Sequence, residues 1–445
     1  MVEQNSDTSA GDNEPHVRYY DDRVVFVDED GDTTEYREGK QTEQARQRYN
    51  RIKSKLDEGW FEEFLDQITD PGTDIEIELD DEIRGLVDEI VESITSEQGR
   101  AIAGLTTTQL VIKSLEPEQS VRLHKGSRNS AHFSWKEGLS MRTIDSDYVA
   151  PALRSRDLLR VNADGVMMTR SLAENYPYSQ HYKANIRGAQ DEWGQLLEAL
   201  ESDDREVEPR EVLEYMIVTL ANRGERAEET YEKALSLLDS FVATDPSSEE
   251  VKQVIDIHLA QSSHGARIYE VAMHALAQVL EDANLLDGHL KSLTQMRSAD
   301  KKHGNIGDIE VVDPDDEFSI YEAYDAKYGK SYLLNELEEI KGKLRHHSET
   351  ESVAFVTSSE PVVDDEVKTR MADLEDQFGI SMTITTFDEF WQRSLSRLED
   401  RGGNPSDWLV AYTETLCQDR RDRAPVNEPT REWVEELISV LESRV

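Results

Sequence analysis

The sequence predicts a mixed α/β fold, with a β-sheet flanked by helices in the C-terminal half and a largely α-helical region before it. Before residue 280, apolar residues recur every three or four positions, which is the period of an amphipathic helix. After residue 300, short apolar segments alternate with helical stretches, and with the preceding helix they give the order α-β-β-α-β-α-β. Two consecutive strands followed by crossover helices indicate a mixed sheet with helices on both faces.

The composition is strongly acidic, with 94 Asp and Glu against 49 Lys and Arg and a net charge of −45. A hydrophobic content of 37% and six Trp nevertheless favour a folded chain over a disordered one. We therefore predict a cytoplasmic protein adapted to high salt, as in halophilic archaea. Because high salt screens charges, the net charge is a poor guide to partners, and local charge has to identify them.

The same composition disfavours a membrane protein and a protein stabilised by disulfide bonds. No apolar run approaches the roughly 20 residues of a membrane span, so no membrane association is predicted. The single cysteine, Cys417, cannot form an internal disulfide and is expected to be a small buried residue.

Residues 1–100 are predicted to form an acidic N-terminal extension with a small hairpin and helices. The hairpin is expected to turn at Asp30-Gly31-Asp32. Helical periodicity follows over 41–65 and 80–96. In the second of these stretches the spacing predicts one buried face, made of Ile83, Leu86, Val87, Ile90, Val91 and Ile94.

Residues 101–260 are predicted to form a second, mostly helical region. Its helical period is clearest over 211–223, 229–242 and 251–260. The part between residues 100 and 190 is less regular and is richer in Gly, Asn, His and aromatic residues.

Residues 261–400 are predicted to form the α/β core, and 401–445 a C-terminal helical segment. The core begins with an amphipathic helix after Gly265. The expected elements that follow are strands at 308–312 and 318–327, a helix at 333–344, a strand at 353–357, a helix at 364–378 and a strand at 380–385.

Three charged residues in the first strand pair have the pattern of a metal-dependent phosphodiesterase. Asp308 and Asp325 are 17 residues apart, which fits two neighbouring strands joined by a tight turn, with both carboxylates at one end. Lys327 lies two residues after Asp325, so both side chains are expected on the same face of the strand. Carboxylates are ligands for Mg²⁺, and a lysine can orient water or stabilise the transition state. The backbone carbonyl of Ala326 is a further candidate ligand.

An alternative is that these residues are only part of the acidic surface, since an Asp-x-Lys triplet arises easily in such a chain. Their position at the end of an apolar strand favours the catalytic interpretation. The identity of a third carboxylate stays open. Candidates are Glu322, whose odd spacing from Asp325 would turn it to the opposite face, and Glu281 or Asp282 on the preceding helix.

A basic island interrupts the acidic chain between residues 121 and 188. It has eleven Lys and Arg against six Asp and Glu. Arginine and asparagine suit the edges of guanine and adenine, whereas arginine, lysine and tyrosine can hold phosphates. We predict that this island contacts DNA, although any one of its residues can instead pair with an acid of the protein. The predicted contact residues are Arg122, Lys125, Arg128, Arg142, Asn175, Tyr176 and Arg187.

The C-terminal half resembles the SacI family of type II restriction endonucleases, within the PD-(D/E)xK nuclease superfamily. The resemblance is carried by Gly-Asp308-Ile-Glu-Val and by Tyr-Asp325-Ala-Lys327-Tyr-Gly-Lys-Ser. Upstream, Met141-Arg-Thr-Ile, Asp-Gly-Val-Met-Met and Glu174-Asn-Tyr-Pro-Tyr, with Arg187 nearby, are similar in order and spacing to a second region of that family. The resemblance covers about residues 120–400. Gly307 stands where the motif name has proline.

The resemblance implies Mg²⁺-dependent double-strand cleavage of DNA at a specific, palindromic site by a homodimer. It also implies a cognate DNA methyltransferase encoded nearby, because a host has to protect its own sites. Two other functions stay open. One is a repair or recombination nuclease on the same core, and the other is a catalytically silent, defence-associated DNA-binding protein.

Overall fold

The computed structural model describes residues 15–27, 31–70, 77–95, 97–124, 135–161, 164–168, 172, 177–181, 186, 188–202, 207–293, 305–426, 428 and 430–444. The chain forms two compact units, Met1–Arg226 and Ala227–Val445. This division cuts the predicted region 101–260, whereas the predicted core and C-terminal segment both lie in the second unit.

The first unit begins with a three-stranded antiparallel sheet in the order β1-β2-β3. Its strands are β1 (His16–Tyr19), β2 (Arg23–Val27) and β3 (Thr33–Arg37). The expected hairpin corresponds to β2 and β3, and β1 adds a third strand. Of the expected turn, Asp30 lies outside the described residues, and Gly31 has the positive φ of 83° that glycine adopts without steric cost.

Helices make up most of the remaining described part of the first unit. They are α1 (Glu43–Asp57), α2 (Trp60–Ile68), α3 (Asp81–Glu92), α4 (Glu97–Leu115), α5 (Met141–Ile144), a π-helical turn (Asp145–Val149), α6 (Ala150–Ser155), a 3₁₀ turn (Val166–Met168) and α7 (Gln190–Glu201). The predicted buried face of 80–96 is confirmed, because all six of its residues are buried. They belong to one apolar core with α4 and α7.

The second unit contains a mixed sheet, as the element order predicted, with five strands where four were expected. Its strands are β4 (His289–Leu290), β5 (Ile309–Asp313), β6 (Asp316–Lys327), β7 (Ser352–Thr357) and β8 (Ser381–Thr386). The sheet has the order β4-β5-β6-β7-β8. Pairing is antiparallel from β4 to β6 and parallel from β6 to β8. The strand pair β5–β6 is therefore followed by two crossover connections.

Helices pack on both faces of this sheet. The helix α8 (Pro209–Val242) contains the boundary between the units, and the other helices follow in the second unit. They are α9 (Ser248–Gln261), α10 (Gly265–Asp282), α11 (Leu334–Leu344), α12 (Asp365–Phe378), α13 (Phe387–Glu399), α14 (Ser406–Leu416) and α15 (Arg431–Glu442). One face of the sheet shares its core with α10 and α13, and the other shares its core with α11 and α12.

Local sequence sets several of these helix ends. Ser247 and Thr386 each form a capping box with a glutamate three residues later, at the starts of α9 and α13. Gly379 ends α12 in the left-handed conformation, with φ of 70°. Within the described ranges, none of the helices combines the length and apolar character that crossing a bilayer requires.

Candidate active site

The antiparallel pairing of β5 with β6 brings Asp308 and Asp325 together. Ile309 pairs with Tyr324, so Asp308, one residue before β5, lies opposite Asp325. The Asp308 backbone N–H donates to the Tyr324 carbonyl at 3.0 Å. In return, the Ala326 N–H donates to Asp308 Oδ2 at 3.0 Å, which fixes the orientation of that carboxylate.

Lys327 is the third charged group at this end of the strand pair. Strand alternation places its side chain on the same face as that of Asp325. Its Nζ donates to Asp325 Oδ1 at 2.6 Å. The two side chains are only 16% and 11% exposed, so the ion pair is largely withdrawn from solvent.

Burial and neighbouring charges both shift the pKa values of Asp325 and Lys327. Burial and the adjacent Asp308 carboxylate together raise the pKa of Asp325 to about 7, although Lys327 acts in the opposite direction. For Lys327, burial lowers the pKa, but the two aspartates outweigh burial and the pKa is raised overall. The site therefore keeps a charged lysine beside two carboxylates that repel each other when both are ionised.

These residues open into a cleft of about 560 Å³ between the sheet and helix α11. The sheet side is lined by Asn305, Gly307, Asp308, Asp325 and Lys327. The helix side is lined by Glu336, Glu339, Ile340, Gly342, Lys343 and His346. A cleft of this size lies within the range of ligand pockets and has room for a phosphodiester group.

Glu310 holds the loop that leads into Asp308. It is 2% exposed, and its Oε1 accepts from the backbone N–H groups of Ile306 at 2.5 Å and Gly307 at 3.2 Å. Its Oε2 accepts from Lys291 Nζ at 2.8 Å. Sequence reasoning missed this residue, although an acid between Ile309 and Val311 in an apolar strand is a signal of a buried, paired carboxylate.

Gly307 is required by the close approach of another strand. A Cβ atom at this position would lie 2.7 Å from the Tyr324 carbonyl oxygen, closer than such atoms come in proteins. Any other residue, proline included, carries that Cβ atom. The backbone at 307 therefore explains why this chain has glycine at the position that the motif name gives to proline.

The three candidates for a further carboxylate do not line the cleft. Glu322 accepts a hydrogen bond from the Tyr324 hydroxyl at 2.7 Å, on the face opposite to Asp325. Glu281 accepts from the Leu290 N–H at 2.7 Å and also pairs with Arg423, which contacts Asp282 at 2.8 Å. These acids thus serve packing and ion pairs at the end of α10 and on the far face of the sheet.

Glu336 is a cleft-lining carboxylate that the sequence did not point to. It projects into the cleft from the first turn of α11, with its side chain 13% exposed, and pairs with Lys330 Nζ at 2.6 Å. Burial raises the pKa of Glu336, but Lys330 more than offsets this and the pKa is lowered. The sequence signal for Glu336 was its short distance along the chain from Lys327, at the start of a helix that follows the strand directly.

Within the described ranges, no group of three or more His, Cys, Asp or Glu side chains is arranged to hold a metal ion. A cation at this site would therefore have two carboxylates, those of Asp308 and Asp325, as its protein side-chain ligands. Backbone carbonyls and water would complete its coordination.

The predicted DNA contacts of the basic island lie in the first unit. Arg122 is 6% exposed, and its Nη1 donates to Glu198 Oε1 and to the Tyr178 carbonyl, both at 3.0 Å. Its guanidinium also stacks over Phe26. Arg122 thus ties elements of this unit together, with its donors turned inward.

The remaining residues of the island give less information. Arg142 is half-buried in α5, where its charge acts on buried Asp145. Lys125, Arg128, Asn175, Tyr176 and Arg187 lie outside the described residues. A DNA-contacting role for them stays a prediction.

A comparison with protein-family models found none that matches this chain. A comparison with curated proteins found no match either. The chemistry of the cleft is therefore the basis on which a function can be proposed.

Proposed function

We propose that this chain is a Mg²⁺-dependent DNA endonuclease of the PD-(D/E)xK type, with Asp308, Asp325 and Lys327 at its centre. One observation carries the proposal. Two facing carboxylates and a lysine, whose Nζ lies 2.6 Å from Asp325 Oδ1, share the end of a buried strand pair in a cleft of about 560 Å³. Phosphodiester hydrolysis needs this combination of hard oxygen ligands and positive charge.

The donor set suits Mg²⁺. This ion is commonly bound by one or two carboxylates, with water and substrate phosphate completing its shell. Asp308, Asp325 and the Ala326 carbonyl would hold it. A cation here would offset both the burial of the Asp325 charge and the repulsion from Asp308, which raise the pKa of Asp325. When bound, Mg²⁺ supplies charge neutralisation at the phosphate and lowers the pKa of water.

The protein's own groups position the reactants. The Ala326 N–H holds the Asp308 carboxylate in place, and Lys327 places a positive charge where the phosphorane becomes more negative. The oxygen of the attacking water bonds to phosphorus and loses a proton to solvent. The ester P–O bond opposite to it breaks, and the leaving oxygen takes up a proton.

We further propose sequence-specific, double-strand cleavage by a homodimer, as in type II restriction. This part rests on the resemblance to the SacI family. A DNA methyltransferase encoded beside this chain would support it, because such a nuclease is tolerated only where the host sites are modified.

Plasmid digestion at molar KCl with Mg²⁺ tests the proposal. Lys327→Ala and Asp308→Asn should each lower the cleavage rate by at least about 100-fold while DNA binding is retained. Lys341→Ala is the matched control, because Lys341 lies on α11 but does not line the cleft. Full cleavage by Lys327→Ala under these conditions would reject the assignment.

Mapping the ends of the products separates the substrate classes. Ends at one fixed sequence support restriction, whereas cutting of branched or damaged DNA without sequence preference supports a repair nuclease. Specific binding without cleavage in Mg²⁺ would identify a catalytically silent DNA-binding protein.

A further inference from the structure

The C-terminal end of α11 is a basic segment in an acidic chain. The sequence from Lys341 to His347 is Lys-Gly-Lys-Leu-Arg-His-His, and no acidic residue occurs between Glu339 and Glu349. The whole chain has 94 acidic and 49 basic residues, so this local composition is the reverse of the general one. Positive charge at a helix C-terminus is favoured by the helix dipole, which accounts for the presence of such residues.

The dipole does not account for the direction in which these residues project. Lys343 in the last turn of α11 and His346 in the turn that follows the helix both line the cleft. Lys341 and Arg345 are four residues apart and do not line it. The same cleft wall has Glu336 and Glu339 before them in the sequence, so its charge changes from negative to positive along α11.

Within the part of the chain that the structure describes, the Lys343 ammonium has only long contacts. Its contacts are to the Ile306 carbonyl at 3.4 Å and to Glu339 at 3.3 Å. The other lysine that lines the cleft has a tighter partner, because Lys327 contacts the Asp325 carboxylate at 2.6 Å. Lys343 is also 29% exposed. Its ammonium can therefore take a phosphate oxygen without losing a strong ion pair.

We propose that Lys343, with His346 beside it, binds a backbone phosphate of duplex DNA within about three nucleotides of the scissile phosphate. This inference rests on the proposed nuclease function and names the substrate contact that the cleft adds. Lys343 is seven residues beyond Glu336, or about 10 Å along the helix. Since duplex DNA has one phosphate per roughly 3.4 Å on each strand, the contact falls within about three nucleotides of the cut.

Salt-dependent binding tests the contact directly. Binding of a labelled duplex DNA is measured by fluorescence anisotropy in EDTA over a series of KCl concentrations. Lys343→Ala should reduce the slope of log K against log[KCl] by about 0.9, the value for one phosphate contact. Lys343→Arg should restore the slope. Lys341→Ala, on the same helix, should leave it unchanged.

The outcomes separate this inference from the nuclease assignment. Mg²⁺-dependent cleavage with the same slope in wild type and Lys343→Ala would reject the contact and keep the nuclease. A Lys343-dependent slope without cleavage would reject the nuclease and keep the contact. A slope change of equal size for Lys341→Ala would show general charge attraction and would overturn the proposal. The same measurement with duplex RNA tests the substrate, and a Lys343-dependent slope seen only with RNA would also overturn it.

Discussion

At the scale of single residues, the ionisation of Asp325 links the site to stability. In the metal-free protein its pKa is raised from 3.8 to about 7, because the charged form is buried beside Asp308. The folded state therefore binds this proton more tightly than the unfolded state. The stability that protonated Asp325 contributes is present below the pKa of the unfolded state and is lost as the pH rises from about 4 to about 7.

Asp325→Asn should remove this loss. In EDTA, we expect the variant to gain in melting temperature relative to wild type as the pH is raised from 5 to 8, because asparagine has no charge to bury. Thermal unfolding at both pH values measures the difference. Parallel pH profiles for the two proteins would show that the carboxyl ionises without cost in the folded state.

Glu336 and Glu322 give a second comparison between single residues. Glu336→Gln should lower the cleavage rate by about 10-fold. The Glu336 carboxylate lies in the cleft and helps to raise the pKa of Lys327, and the substitution removes it. Glu322→Gln, in the strand that carries Asp325, should leave the rate unchanged, because Glu322 faces the other side of the sheet. A larger loss in Glu322→Gln would contradict this arrangement. Rates of plasmid cleavage provide the measurement.

At the scale of elements, the loop at 305–307 depends on the buried Glu310–Lys291 pair. Glu310→Gln should destabilise the protein by about 2 kcal/mol, because it leaves the Lys291 ammonium without its carboxylate. It should also weaken Mg²⁺ binding by about 10-fold, since Asp308 follows this loop. Denaturant unfolding and calorimetric titration with Mg²⁺ measure the two effects.

The double variant Glu310→Gln/Lys291→Met is the control for that experiment. It removes both charges and should recover part of the lost stability. A double variant less stable than the single one would show that Lys291 acts through other contacts, such as its bond to Asn305 at 3.2 Å.

Element by element, the sequence predicted the core more fully than its surroundings. The 17-residue spacing, the apolar alternation and the turn residues led to the strand pair, and hence to the facing aspartates. Strand β4 was not predicted, because its two residues, His289 and Leu290, show no period. The stretches 211–223 and 229–242 are one continuous helix, α8, since a single glycine, Gly224, costs only about 1 kcal/mol there.

The site itself was only partly predictable. Asp325 and Lys327 share a face by strand geometry, which sequence spacing reveals. Glu336 and Glu310 depend on how a helix and a loop fold back on the strands, which no local pattern encodes. Arg122 shows that a basic stretch does not reveal which of its residues are exposed. It was predicted to contact DNA, but it is buried against Glu198.

At the scale of the whole molecule, the net charge of −45 makes stability depend on salt. Repulsion among surface carboxylates destabilises the compact state, and added salt screens it. We expect the melting temperature to fall steadily as KCl is lowered from molar to about 0.1 M. Scanning calorimetry over this range measures the trend. A melting temperature that does not change with KCl would contradict adaptation to high salt.

The lining of the cleft comes from one short part of the chain. Among the residues that the structure describes, all those that line it lie between Asn305 and His346, in one hairpin, the helix that follows and the turn after it. Contacts between residues close in sequence form early in folding, because little loop entropy has to be lost. The catalytic geometry should therefore assemble before the distant parts of the chain dock. Insertions or circular permutation outside this stretch should leave that geometry intact.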